Sequence, residues 1–337
     1  IALRRCRSVR RGTLEEELVL ENYNPFPVTV ELALVFAADF FDIFEVRGFV
    51  RERPRGHILL PHQEGQQLRL AYRAPDDVVL ETEVLFSRPP DVFTTEPGTT
   101  HLADLALPRM LLPGHDQLIR ARGTIHPPRA FTLFRSTLPA HGTDRLSFRV
   151  APRELIERRV SVRVPDVSRL TEPAEPAAIS FARVRTDHEF LDRILQRSLD
   201  DLRALLTPFP GGRLVAAGIP WFVAPFGRDS LIVSLQMMLF SPELALETLR
   251  FLARYQGQKV DPWTEEEPGK ILHELRFGEM VRLGETPHSP YYGTVDATPL
   301  FIIAFCELMN WIGSPALFEE LFPAVEAALR WIDEYGD

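Results

Sequence analysis

The chain has 337 residues, 45% of them hydrophobic and 25% charged, with a formal net charge of −9; this length and apolar content predict two domains. The acidic balance, with no long basic block, speaks against nucleic acid or an anionic membrane as the main partner, since both select clustered Lys and Arg. Two cysteines without metal-type spacing, Cys6 and Cys306, give no reason to expect a zinc site or a disulfide framework, and apolar runs such as Thr298 to Phe305 fall far short of the roughly 18 residues of a membrane span.

From Ile1 to Val164 the pattern has period two, as in Leu14 to Glu21 and Val28 to Phe36, with Asn22, Asn24 and Pro25 marking a turn between them. Further strands are predicted at 57–60, 68–73, 78–86, 117–123, 130–134 and 144–150, and two packed antiparallel sheets are the simplest arrangement. The chain begins at Ile1 without a leader pattern, and 331–337 ends without a finishing element, so truncation at both ends is expected.

Residues 165–186, with Pro165, Pro173 and Pro176, have linker composition. From Asp187 the period changes: Phe190, Ile194, Leu195, Leu199, Leu202, Leu205 and Leu206 fall on one helix face. A helix is predicted to start at Asp229 or Ser230, apolar on nearly all sides and therefore buried. Others are predicted from Pro242 to about Tyr255, from Val295 to Trp311 and from Ala316 to Trp331. Helix pairs joined by long loops suggest stacked α-hairpins with a site at the loop end.

Three loop segments carry candidate chemistry. In 218–230, two glycines, two prolines and several aromatics surround Arg228 and Asp229. An aromatic such as Trp221 stacks on the C–H face of a sugar while Arg228 and Asp229 form charge-assisted hydrogen bonds to hydroxyls; the plainer alternative is that Asp229 caps a helix. In 267–279, Glu274 and Arg276 alternate with Leu275 and Phe277, so both face one side of an extended segment, either to bridge a sugar or to form an internal ion pair. In 290–300, Asp296 follows Tyr291 and Tyr292 at a helix start, where the dipole alone favours an acid; the functional alternative puts Tyr292 and Asp296 in the same pocket. His273 and His288 read as structural or surface residues. A glycosidase needs two carboxyl groups flanking the scissile bond, and the spacing of Asp229, Glu274 and Asp296 identifies no such pair.

The segments Phe226 to Ile232, Gly269 to Arg276 and Tyr292 to Leu300 together resemble the bacterial and archaeal amylo-α-1,6-glucosidase (glycogen debranching enzyme) family and its glucoamylase-like relatives. Phe36 to Gly48 is similar to the β-domain that precedes the catalytic domain in many of those proteins. The resemblance covers most of the chain and implies a six-hairpin, (α/α)6 toroid in which an Arg-Asp pair, here Arg228 and Asp229, binds hydroxyls of the terminal glucose. Glu274, Arg276, Tyr292 and Asp296 are implied as further pocket residues, and the acid and base carboxylates as lying beyond Asp337. The implied toroid has about a dozen helices, whereas the pattern here gives roughly five.

The expectation is therefore a multidomain β + α protein: an antiparallel β-sandwich over 1–164, a linker over 165–186, and the first part of an incomplete (α/α)6 toroid over 187–337. The expected function is hydrolysis of α-glucosidic bonds in a glucan or glucoside by a cytoplasmic glycoside hydrolase of debranching type, without cofactor or metal, nucleic acid or membrane. The rival expectations are a non-catalytic carbohydrate-binding protein and a related α-glycosidase with a different substrate. No oligomeric state is implied.

Overall fold

The computed structural model describes residues 1–10, 12–96, 127–155 and 179–336. The chain divides into two compact units, Ile1–Val160 and Ser161–Asp337. The strand expected at 117–123 and most of the linker expected at 165–186 lie outside the described residues, and 179–188 run without regular structure.

The first unit contains strands β1 (Ala2–Arg10), β2 (Thr13–Glu21), β3 (Val28–Phe36), β4 (His57–Ile58), β5 (His62–Glu64), β6 (Gln67–Arg73), β7 (Val79–Phe86), β8 (Val92–Glu96), β9 (Arg129–Leu138) and β10 (Thr143–Leu155). One sheet runs β1-β2-β10-β7-β6-β4, with β5 also on β6, and the other runs β3-β9-β8. Every pairing among the described strands is antiparallel. The alternation read from the sequence places one row of side chains between the sheets: Leu18, Leu68, Val84, Phe86 and Leu146 from the larger, Ala130 and Phe134 from the smaller. Phe36 meets Phe86 and Phe148 edge-on across the gap, with ring centroids 5.6 and 5.5 Å apart. Each such buried side chain stabilises by roughly 1.5–3 kcal/mol. The unit is the antiparallel β-sandwich that the sequence predicts.

A short helix, α1 (Ile43–Val46), interrupts the segment after β3. Asp42 caps it by accepting from the Phe44 amide at 3.0 Å, while Glu45 reaches back to the Asp42 amide at 2.9 Å, a reciprocal capping box. Four residues give no readable period, so sequence analysis does not find α1; β5 and β8 are missed for the same reason.

The second unit holds α2 (Glu189–Leu205), the hairpin β11 (Leu206–Phe209) and β12 (Gly212–Val215), then α3 (Gly227–Met237), α4 (Pro242–Arg254), α5 (Glu279–Arg282), α6 (Ala297–Ile312) and α7 (Pro315–Tyr335). The α3–α4 and α6–α7 pairs are successive helical hairpins, and they pack on each other through α3 and α4 against α6. Leu231, Leu249, Leu252, Phe301, Phe305 and Val325 close the core between them. The described residues thus form stacked helical hairpins and not a closed ring. On α2 only Leu199 of the expected apolar face is fully buried; Phe190 and Ile194 stay exposed.

Two predicted features need correction. Helix α3 begins at Gly227, before Asp229, because the Gly227 amide finds its acceptor outside the helix, in the His273 carbonyl at 3.0 Å. A side-chain β-carbon at 227 would lie 2.1 Å from the Leu272 carbonyl oxygen, so only glycine permits this approach. Asp229 therefore sits in the first turn and is not the cap. Nor is the helix buried all round, since Ile232 and, just beyond its end, Leu239 are exposed.

Candidate functional site

The three loops singled out in the sequence meet at the adjoining N-terminal ends of α3 and α6. Phe226 pairs with Glu274 and Glu274 with Tyr291 in short antiparallel bridges. Around these bridges the Leu275 amide donates to Pro225 at 3.0 Å, the Arg276 amide to His288 at 2.8 Å, and the Tyr292 amide to Thr264 at 2.8 Å. These backbone bonds fix the loops relative to one another without any bound molecule.

At the surface of this seam, Arg228 is shared between two acids: its Nη1 lies 3.2 Å from Asp296 Oδ2 and its Nε 3.8 Å from Asp229 Oδ2. The side chains of Arg228, Asp229 and Asp296 are 45%, 37% and 40% exposed, so all three remain open to a polar ligand. Both acids stand at helix starts, where the dipole favours negative charge. Partial burial opposes ionisation of Asp296, but the Thr294 hydroxyl and the Arg228 guanidinium outweigh it and hold the carboxyl below its ordinary range. Asp296 heads α6 in a helical backbone conformation and its side chain makes no capping hydrogen bond. Trp221 and Phe222 in the first of these loops are exposed, as is Trp263, which precedes the second. The Trp263 amide is held by Asp261 Oδ1 at 3.0 Å.

The other candidates lie beneath. Glu274 and Arg276 are 9% and 6% exposed and form an ion pair with each other. Arg276 Nη1 also donates to the Trp221 carbonyl at 2.9 Å, and its guanidinium lies over the Phe226 ring at 5.4 Å. His288 Nε2 stands 3.6 Å from the other Glu274 oxygen. Tyr292 is in the helical core, its hydroxyl donating to the Tyr255 carbonyl at 2.7 Å, and burial pushes its phenol well up. The His273 ring sits edge-on between Phe226 and Tyr291. The structure thus brings Arg228, Asp229 and Asp296 together at the surface, with Trp221 in the adjoining loop and Glu274, Arg276 and Tyr292 below. Sequence analysis passes over Thr294, which, two residues before an acid at a helix start, carried a local signal; His288, read there as a structural or surface residue, faces Glu274. Among the described residues no group of three or more His, Cys, Asp or Glu is placed to hold a metal ion.

Residues 1–109 match the family model of the N-terminal domain of some glycogen debranching enzymes. None of the curated proteins matches the sequence. A solved structure described as a kojibiose phosphorylase from the human microbiome superposes with a TM-score of 0.50 at 9% identity, covering 94% of this chain and 41% of that one. At that identity the likeness speaks to the fold alone, a sheet-rich N-terminal part followed by helices, and this chain spans about two fifths of that protein's length. A TPR-domain containing protein from Parabacteroides distasonis aligns over 96% of this chain and 59% of that one at 10% identity, but its TM-score of 0.18 bears no weight.

Proposed function

We propose that the chain is part of an α-glucan-processing glycoside hydrolase of the debranching, amylo-α-1,6-glucosidase type, and that Arg228, Asp229 and Asp296 bind the hydroxyls of a glucose unit against the ring of Trp221. The observation that carries this reading is the half-exposed Arg228 held between two carboxylates, with exposed aromatic residues in the loops that meet there. An ionised Asp296 accepts hydroxyl hydrogen bonds, Arg228 donates them, and a neighbouring indole face covers the apolar side of the sugar. The match of residues 1–109 supports the same enzyme class. Cleavage in such an enzyme passes from a carboxylic acid on the leaving oxygen and a carboxylate on water, roughly 6.5–9.5 Å apart if the outcome is inversion. Unpaired surface thiols at Cys6 and Cys306 suit a reducing, cytoplasmic setting.

Asp229→Ala tests the binding role. Loss of a charge-assisted hydrogen bond costs about 1.5–3 kcal/mol, which corresponds to roughly one to two orders of magnitude in affinity. Calorimetric titration with maltotriose is expected to show that loss while the circular dichroism of sheet and helix stays unchanged. Unfolding of the helical unit with no separable effect on affinity would reduce Asp229 to a helix-start residue. A second reading, a non-catalytic glucan-binding protein, is favoured by the commitment of Asp229 and Asp296 to Arg228 and of Glu274 to Arg276; glucose release from a branched dextrin would exclude it.

A further inference from the structure

We infer that Glu274 and Arg276 are positioning residues: together they fix the loop 218–226 through the Trp221 carbonyl and so decide where the Trp221 ring stands, without touching sugar themselves. The inference rests on the reading of the Arg228 cluster as a sugar site, and its first readout is independent of that reading. As residues, Glu274 and Arg276 are 9% and 6% exposed, whereas Trp221 is 40% exposed. Arg276 has two jobs that only a planar fork performs at once: Nε pairs with Glu274 and Nη1 donates to the Trp221 carbonyl at 2.9 Å. Its flat face covers Phe226, the residue at which the loop enters α3.

Glu274 is a firm anchor for this fork. Its backbone bridges both Phe226 and Tyr291, and its second oxygen faces His288 at 3.6 Å. The loop closes on itself through the Phe222 amide and the Gly218 carbonyl at 3.0 Å. That bond shapes the turn itself. The Leu275 amide holds Pro225, near the helix, whereas the Arg276 contact holds the loop at Trp221 itself.

The test uses the 337-residue chain as wild type, Trp221→Ala, Arg276→Lys, and the double variant. Lysine keeps a cation beside Glu274 but does not also reach the Trp221 carbonyl. In the absence of sugar, amide hydrogen exchange across 218–226 is expected to quicken in Arg276→Lys, while 230–237 in α3 keep their protection. Glu274→Gln, which keeps the shape and removes the charge, is expected to quicken the same segment and stands in if the lysine variant does not fold. In maltotriose titrations Trp221→Ala and Arg276→Lys are each expected to weaken binding by about tenfold. The double variant is expected to bind no more weakly than Trp221→Ala alone, because both act through one ring. Unchanged exchange across 218–226 overturns the inference, and so do additive losses, which would mean that Arg276 meets the sugar itself. If the wild type binds no maltotriose, the sugar site falls and the exchange result alone decides whether the pair holds the loop.

Discussion

Arg228 divides its charge between Asp296 at 3.2 Å and Asp229 at 3.8 Å, and the electrostatic state of the site follows from that sharing. Asp296 keeps a depressed pKa although partial burial works against it, because Thr294 and Arg228 favour the carboxylate. A group whose folded pKa is lowered contributes stability above its unfolded pKa and loses it as the pH falls through the folded value. The pair is therefore intact at neutral pH and weakens only below the ordinary aspartate value of 3.8. Arg228→Gln removes one of the favourable partners, so the Asp296 pKa is expected to rise toward that value in a carbon-13 NMR titration of the carboxyl. No rise would mean that Thr294 and the Asp296 backbone amide suffice to hold it down.

The elements differ in how they hold the loops. Helix α6 contributes more than its dipole: Thr298, fully buried in its first turn, accepts the Ile271 amide at 3.0 Å through Oγ1. That bond ties the loop carrying Glu274 and Arg276 to the helix that carries Asp296. Thr298→Val keeps the shape and removes the acceptor, leaving a buried amide unpaired at a cost of about 1–3 kcal/mol. Urea unfolding followed by tryptophan fluorescence is expected to show this loss, since Trp221, Trp263, Trp311 and Trp331 all lie in the second unit. An unchanged midpoint would mean that another acceptor serves the Ile271 amide. Helix α4 was legible within a residue of its observed end because Pro242 marks its first turn and its apolar residues keep a 3.6 period. The β11–β12 hairpin was not, because strands of four residues leave no period to read.

For the whole chain, the question is whether binding and cleavage reside in the same residues. Asp229 and Asp296 are both ion partners of Arg228, and Glu274 is buried on Arg276. A glycosidase requires one carboxyl poised to give a proton and another free to activate water or attack; Asp229 and Asp296, engaged by Arg228 and partly exposed, suit hydroxyl recognition better, and the buried Glu274 suits neither task. The 337-residue chain is accordingly expected to bind maltotriose and to release no glucose from a branched dextrin in a coupled glucose assay. Turnover in that assay would assign the acid and the base among Asp229, Glu274 and Asp296.

Period and punctuation in the sequence determined the β-sandwich, the change to helices after Asp187, and the three loops that carry the site, because burial of one face leaves a repeat of two or 3.6 residues in the chain. The same loops named Arg228, Asp229 and Asp296, since an arginine beside an acid at a helix start is a local pattern. Only the tertiary structure decided depth and partnership. That Glu274 and Arg276 turn inward onto each other, that Tyr292 gives its hydroxyl to Tyr255, and that α3 starts at Gly227 all depend on groups 2 to 55 residues away along the chain. Where a side chain points from an aperiodic loop is set by what the fold brings against it, and such a loop carries no period from which burial can be read.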